Sequence, residues 1–169
     1  MKIEMTPIGI IHSPFAEPSQ APIQAGERRD VEGRVEVFPE YAEGLDDLDG
    51  FDCVWLIWYC HQAGPWTPKV KPFLDQELRG VFATRAPSRP NPIAFSAVVL
   101  TRREENRLWF RGVDMIEGTP LLDIKPYLPG LDSRPECLRD GWVEGRRMNV
   151  TGDNRFSRRN SSADDSETD

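Results

Sequence analysis

The spacing of prolines and glycines constrains the fold of this chain more than any other feature of its sequence. Fifteen prolines and thirteen glycines divide the 169 residues into short apolar runs. Because proline interrupts helices and both residue types favour turns, this spacing indicates many short strands rather than long helices. Residues 34–37 and 107–111 alternate between polar and apolar, as half-buried strands do, whereas residues 53–59 are apolar on both faces.

The strand pattern predicts a mainly β fold, a small antiparallel β-barrel or closed sheet with a few short helices. A turn at residues 104–106 should join a preceding strand to residues 107–111 as a hairpin. The best helix candidate is residues 39–49, where large apolar residues recur at helical spacing. The other strand candidates are residues 8–11, 81–83, 95–100, 121–125 and 142–143.

Composition divides the chain into one domain and a tail. Residues 1–145 are enough to bury a sizeable core as a single domain. Residues 146–169 carry five arginines and five acidic residues among serines and asparagines, with few apolar side chains. Since such a segment buries too little surface to offset its ordering entropy, we expect a flexible polar tail.

The cysteines and the N-terminus indicate a cytoplasmic protein. The three cysteines, Cys53, Cys60 and Cys137, are odd in number and form no CxxC pair. The first residues lack the charged start and apolar stretch of a secretion signal. No apolar run reaches the about 18 residues that a membrane-spanning helix needs.

The net charge of −7 is unfavourable for binding nucleic acid, but the charges are unevenly distributed. Residues 69–111 contain nine Lys or Arg against four Asp or Glu, whereas residues 27–52 are acidic. A surface of this kind can bind RNA with one face. Solvated charges on strand faces are an equally good explanation for any single residue.

Residues 84–92 form the most unusual stretch. Three prolines within six residues, placed after a strand candidate, make a stiff loop with few backbone donors. The loop carries Arg85 and Arg89, whose planar guanidinium groups suit recognition of a carboxylate, a phosphate or a base edge. The alternative is a proline-rich corner with solvated arginines. A strand candidate follows at once, so the loop lies on a scaffold.

Two other stretches carry polar groups in informative positions. Asp123, Lys125 and Tyr127 are spaced by two, so on a strand they share one face, where they either pair structurally or line a pocket. His61 and Gln62 follow the most apolar strand, a position typical of the mouth of a site, although a hydrogen-bonded histidine at the core edge is more common. No spacing resembles a zinc set, and no dinucleotide, P-loop or nucleophile-elbow motif occurs.

Six segments together resemble the TsaA-like (TrmO) family. They occur in order from about residue 8 to residue 142, and jointly they are highly specific. The segments are residues 8–15 (IGIIHSPF), 21–24 (APIQ), 48–52 (LDGFD), 80–85 (GVFATR), 89–93 (RPNPI) and 123–129 (DIKPYLP). The chain resembles a short form of the family, without the extra C-terminal domain of longer members.

The resemblance implies an S-adenosylmethionine-binding β-barrel that works as a homodimer. The implied activity is N-methylation of N6-threonylcarbamoyladenosine beside the tRNA anticodon, so tRNA is the expected substrate. The alternative is an S-adenosylmethionine-binding module, or a methyltransferase for a different substrate such as a small molecule. The residues that the resemblance assigns to the cofactor are Pro22, Ile23, Gln24, His61, Gln62, Arg85, Arg89, Phe95, Asp114, Met115 and Thr119.

Methyl transfer from a sulfonium is an in-line displacement that depends on alignment and needs no metal. The proton on the accepting nitrogen must leave, and Asp123 or Asp114 is the candidate acceptor. Arg89 and Lys125 are the candidate cations for the substrate carboxylate and phosphates, and Tyr127 or Trp66 could stack on the base. The residues expected to serve catalysis are Asp123, Lys125, Tyr127, Arg89 and Asn91.

Overall fold

The computed structural model describes residues 1–23, 29–146 and 153–158. Antiparallel strands make up most of the regular secondary structure in these residues. The strands are β1 (Gly9–His12), β2 (Glu32–Val37), β3 (Cys53–Tyr59), β4 (Lys69–Val70), β5 (Arg79–Gly80), β6 (Ile93–Glu104), β7 (Arg107–Arg111) and β8 (Thr119–Pro126).

Six strands close into a barrel in the order β1-β2-β7-β6-β3-β8, and β4 pairs with β5 in a separate two-stranded sheet. Every neighbouring pair in the barrel is antiparallel. The predicted hairpin joins β6 to β7, with Glu105 in the left-handed region at φ 52°. The structure therefore confirms the prediction of a mainly β protein built on a small antiparallel barrel.

The barrel interior is filled by side chains from alternate positions of the six strands, as the two-residue period requires. Packing is close where β2 meets β7: a Cβ atom on Gly33 would lie only 2.8 Å from the Phe110 ring, so glycine is needed there. The core residues with almost no exposed surface include Ile11, Val35, Val37, Val54, Leu56, Val98, Leu108, Phe110, Val113, Met115 and Leu121.

The helices are short, and two segments differ from their predicted structure. Residues 39–49 contain two 3-10 helices, Pro39–Leu45 and Leu48–Gly50, separated at Asp47 with φ 65°. The predicted strands at 81–83 and 142–143 are wrong, because both segments belong to the 3-10 helices Val81–Ala83 and Gly141–Val143. The α-helix α1 is Pro129–Asp132. Among the described residues, no helix has the length and apolar character to cross a membrane.

A second, smaller core lies beside the barrel and involves the C-terminal residues. Val70, Val81 and Ala86 are buried together, and Phe156 packs against them. Residues 153–158 thus contact the loops after β3 and β5, although they lie in the segment expected to be a flexible tail. Residues 147–152 and 159–169, for which a flexible tail was also expected, lie outside the described residues.

Candidate functional site

Three loops far apart in sequence meet at one end of the barrel because of the strand register. Tyr59 at the end of β3 pairs with Ile93 at the start of β6, and Trp58 pairs with Leu121 near the start of β8. The loops that follow β3 and precede β6 and β8 therefore lie side by side. These loops, residues 60–64, 84–92 and 112–118, are hereafter the barrel-end loops.

Two linked side-chain hydrogen bonds tie the loop at residues 112–118 to β3 and β6. The indole Nε1 of Trp58 donates to the Ser96 hydroxyl at 3.1 Å, and Ser96 donates to Asp114 Oδ1 at 2.7 Å. Ser96 is 3% exposed, so these hydrogen bonds are shielded from water. Asp114, one of the expected cofactor residues, is therefore held in a fixed orientation at the barrel end.

Cys60 is the first residue of the loop at residues 60–64, and its side chain is buried. Its amide donates to the Pro92 carbonyl at 2.8 Å, which links two of the loops. Burial raises the pKa of the Cys60 thiol to about 12, and the Asp114 carboxylate adds to the effect while the Arg89 guanidinium opposes it. The thiol stays protonated at neutral pH, so it offers no nucleophile.

Arg89 holds its own loop together. Its Nη1 atom donates to the Thr84 carbonyl at 2.8 Å and lies 3.4 Å from the carbonyls of Val81 and Ala86. The guanidinium also stands 5.9 Å from the centroid of the Phe82 ring. Part of the planar donor group that the sequence suggested for a substrate is thus engaged in the loop itself.

His61 presents an unsatisfied nitrogen at the barrel end. Its Nδ1 atom is buried and has no hydrogen-bond partner among the residues that the structure describes. Burial, reinforced by the positive charge of Arg158, lowers the pKa of His61, so the neutral imidazole predominates at neutral pH. A neutral ring can donate or accept through Nδ1, which suits a ligand with uncharged polar groups. The neighbouring Gln62 offers its carbonyl to the Arg158 amide at 3.0 Å.

A second group of expected site residues lies on the outer face of β3, β6 and β8. Asp123 and Lys125 share a face as predicted and form an ion pair of 2.7 Å. Trp55 lies between Phe95 and Tyr127, with ring centroids 5.4 Å from each. This face, hereafter the outer face, carries aromatic, charged and apolar side chains, namely Trp55, Phe95, Val99, Asp123, Lys125 and Tyr127.

Arg85 connects the two groups. It projects from the loop at residues 84–92, and its guanidinium lies 5.9 Å from the centroid of the Phe95 ring on the outer face. Cation–π contacts of this length are favourable. The structure therefore brings most of the expected site residues into one band that runs from the barrel end, across Arg85 and Phe95, to β8.

Several expected residues are placed differently. The side chains of Met115 and Thr119 are fully buried in the barrel, where the Thr119 hydroxyl donates to the Ile116 carbonyl at 2.7 Å. They can support a ligand only through their backbone or by packing. Pro22 and Ile23 are half-buried after β1, Asn91 is exposed, and Gln24 lies outside the described residues.

Sequence analysis did not single out Ser96, Trp58 or residues 153–158. The structure shows that they hydrogen-bond at the barrel end. Ser96 gave one signal, since it is a lone polar residue at an inward position of a strand whose neighbours are apolar. Within the described part of the chain, no cluster of three or more His, Cys, Asp or Glu residues could hold a metal ion.

Comparison with known proteins identifies the family. The model of the tRNA-methyltransferase O N-terminal domain matches residues 10–133 of the chain. The chain belongs to this family. The match covers all six barrel strands apart from Gly9, the first residue of β1. It also covers the barrel-end loops and the outer face.

Relatives and solved structures of the family share both sequence and architecture with this chain. A probable S-adenosyl-L-methionine-binding protein of Pyrococcus abyssi is 55% identical over 82% of this chain and 74% of the relative. The tRNA (adenine(37)-N6)-methyltransferase of Escherichia coli is 37% identical over 77% of this chain. The crystal structure of TrmO from Pseudomonas aeruginosa superposes with a TM-score of 0.73 at 38% identity and covers 87% of this chain. This chain spans 60% of the Escherichia coli relative and 65% of the Pseudomonas aeruginosa chain.

The residues at the barrel end fit the chemistry of S-adenosylmethionine. Its methionine carboxylate needs a cation, which Arg85 can supply. Its adenine needs an apolar surface and a hydrogen-bond partner, roles that suit the exposed Phe95 ring and the unpaired Nδ1 of His61. Its sulfonium is attracted to an aromatic ring such as Phe95.

Proposed function

We propose that this protein is an S-adenosylmethionine-dependent methyltransferase that N-methylates N6-threonylcarbamoyladenosine beside the tRNA anticodon. The observation that carries the proposal is the family match over residues 10–133, a range that contains the barrel-end loops and the outer face. The Escherichia coli relative is named for methylation of adenine 37 of tRNA. A chain that shares its matched domain and its site segments is best explained by the same reaction.

In this proposal the barrel-end residues hold the cofactor. The residues proposed to bind it are Pro22, Ile23, Gln24, His61, Gln62, Arg85, Arg89, Phe95 and Asp114, with Met115 and Thr119 giving support by packing. When bound, S-adenosylmethionine supplies an electrophilic methyl group on its sulfonium.

The outer-face residues bind and orient the substrate. Lys125, 64% exposed, has the reach and charge to attract the threonyl carboxylate. Asp123 beside it can take up the proton released from the accepting nitrogen. Tyr127 provides a ring for stacking on the base, and Asn91 offers an amide for a base edge. Arg89 contributes by keeping its loop in place.

Aromatic and basic side chains near the barrel end suit a single-stranded RNA loop. Phe82 is 79% exposed and Trp66 is 51% exposed, and large apolar side chains at such exposure can stack on unpaired bases. Lys69 and Lys71 are exposed between them in sequence and add positive charge for phosphates. This local surface offsets the acidity of the chain as a whole.

The protein is further proposed to be a cytoplasmic homodimer whose residues 1–145 form the methyltransferase domain. The outer face supports the dimer, since Phe95 is 58% exposed and Val99 is 41% exposed at outward positions of β6 on either side of Ala97. Apolar side chains exposed together on a flat sheet face are typical of a protein–protein interface. Because Phe95 also borders the proposed cofactor site, the interface and the site would be neighbours.

Two binding experiments test the proposal and separate it from the alternative. Calorimetry should show S-adenosylmethionine or S-adenosylhomocysteine binding with a micromolar Kd, about −8 kcal/mol. Binding of tRNA should weaken steeply as salt rises, because phosphate contacts release counterions. The net charge of −7 favours the alternative, a cofactor-binding protein with a small-molecule substrate. Cofactor binding without salt-dependent tRNA binding would support that alternative.

A further inference from the structure

The C-terminal residues Asp153 to Arg158, hereafter the C-terminal strap, contact two barrel-end loops at once. We propose that this strap is a positioning element that fixes the loops at residues 60–64 and 84–92 for cofactor binding. The strap lies beyond residues 10–133, the part of the chain that the family model matches. The inference rests on the proposed function, since those loops hold the cofactor only in that proposal.

Backbone hydrogen bonds attach the strap to the loop after β3. Ser157 and Ala63 form an antiparallel bridge, in which the Gly64 amide donates to the Phe156 carbonyl at 2.8 Å. The Arg158 amide donates to the Gln62 carbonyl at 3.0 Å. The strap therefore acts as a short added strand that fixes the backbone directly after His61.

A side-chain hydrogen bond extends the strap to the second loop. The Phe156 carbonyl also accepts a hydrogen bond of 3.0 Å from the hydroxyl of Ser88, which is 5% exposed. One carbonyl thus joins Gly64 of the first loop to Ser88 of the second. Ser88 precedes Arg89 in the sequence, so this hydrogen bond attaches the strap to the proline-rich loop beside its arginine.

Packing of the Phe156 ring anchors the strap. The ring meets Phe73 edge to face with centroids 5.2 Å apart, and it covers the buried cluster of Val70, Val81 and Ala86. Contacts of this kind bury apolar surface and hold the backbone on either side in register. Phe156 is the single apolar side chain of the strap, so the attachment depends on it.

Arg158 brings the strap to the expected cofactor residue itself. Its Nε atom donates to the Ala63 carbonyl at 3.1 Å, and its positive charge contributes to lowering the pKa of His61. Burial is the larger cause of the lowered pKa of His61, and the charge of Arg158 adds to it. Phe156 and Arg158 act through other groups, so they are positioning residues.

Ordering two loops before a ligand arrives lowers the entropy that binding must offset. We expect Phe156→Ala in the full chain to raise the Kd for S-adenosylhomocysteine by about 5- to 150-fold, the range of a typical coupling between two sites. Phe156→Leu keeps most of the apolar packing and should restore affinity. Leu138→Ala, which changes an 83% exposed side chain elsewhere in the C-terminal part, is the matched control.

Two readouts keep this test separate from the proposed function. Hydrogen exchange of the Gly64 amide should accelerate in Phe156→Ala, and the His61 pKa, followed by NMR, should rise in both Phe156→Ala and Arg158→Gln. If the wild-type protein binds no cofactor while the variants show both changes, the proposed function fails and the strap's attachment stands. Unchanged Gly64 exchange and His61 titration, or unchanged affinity in a folded Phe156→Ala that has lost the attachment, would overturn the positioning role.

Discussion

The Ser96 hydroxyl on β6 donates a hydrogen bond of 2.7 Å to the carboxylate of Asp114, which lies 18 residues later in the sequence, in the loop before β8. The same hydroxyl accepts from the Trp58 indole at 3.1 Å. A single buried side chain thus connects β3, β6 and the loop before β8. This connection is the reason that Asp114 has one orientation at the proposed cofactor site.

Replacing Ser96 by alanine should affect both stability and cofactor binding. The change removes two hydrogen bonds in a buried place, which costs about 1–3 kcal/mol of unfolding free energy. Urea unfolding measures that loss, and calorimetry should show weaker cofactor binding because Asp114 is less restrained. Thr101→Ala, an exposed position on the same strand, should leave both unchanged. If Ser96→Ala kept the stability and the cofactor affinity of the wild type, the hydrogen bonds of Ser96 would have no structural role.

The two arginines of residues 84–92 should respond differently to substitution. Arg89→Ala should lower the melting temperature and methyl transfer together, because its Nη1 atom bonds the Thr84 carbonyl within the loop. Arg85→Ala should lower methyl transfer by roughly 10- to 150-fold, the value of a charge-assisted hydrogen bond of about 1.5–3 kcal/mol, with the melting temperature unchanged. Thermal melts beside single-turnover rates test the contrast. Equal melting temperatures in the two variants would contradict it.

The ionisation of Asp75 makes the free energy of unfolding depend on pH in the acid range. Burial would raise the pKa of this carboxyl, but hydrogen bonds from the Arg79 guanidinium and the amides of Glu77 and Gln76 outweigh burial and lower the pKa to about 2. The unfolded chain binds this proton at a higher pH than the folded chain, so the stabilisation is fully present above the ordinary value of 3.8. It is lost as pH falls from about 4 to about 2.

Urea midpoints of the wild type and Asp75→Asn measure this dependence. The wild type should lose more stability than the variant between about pH 5 and about pH 2, an interval that covers the titration of Asp75. Curves that run parallel over this interval would show that Asp75 is not coupled to folding.

The β6 side of the outer face, with Phe95 and Val99, should hold the proposed dimer together, and the substrate residues lie on the β8 side. Val99→Glu places a charge on an exposed apolar position of β6, and burying that charge at an interface is costly. We expect the variant to elute as a monomer in size-exclusion chromatography with light scattering. Leu78→Glu, at a 64% exposed position away from the outer face, should keep the mass of the wild type. A monomeric wild type, or a dimeric Val99→Glu, would remove the outer face from the interface.

Sequence periodicity predicted the barrel well because its strands carry the period. β3 and β7 have the predicted bounds, since each combines a clear apolar pattern with turn residues at its ends. Residues 81–83 were misassigned because a three-residue apolar run fits a strand or a turn equally well. Burial of Val81 beside Val70 and Phe156 decides the outcome, and Phe156 lies 75 positions further along the chain.

The site was predictable in part for the same reason. Spacing by two placed Asp123 and Lys125 on one face, and the structure shows their ion pair. The barrel-end loops meet because of the strand register, and that register is set by pairs of strands and not by any single segment. The contacts of residues 153–158 arise from a segment whose composition indicates little burial, so only the tertiary structure shows them.

Nucleoside mass spectrometry of tRNA tests the central claim most directly. Purified protein is incubated with S-adenosylmethionine and a tRNA that carries N6-threonylcarbamoyladenosine at position 37, and a parallel reaction omits the cofactor. The account predicts that this nucleoside is converted to its N-methylated form in the complete reaction alone. An unchanged nucleoside, with folded protein that binds S-adenosylmethionine, would contradict the account and direct the search to a different methyl acceptor.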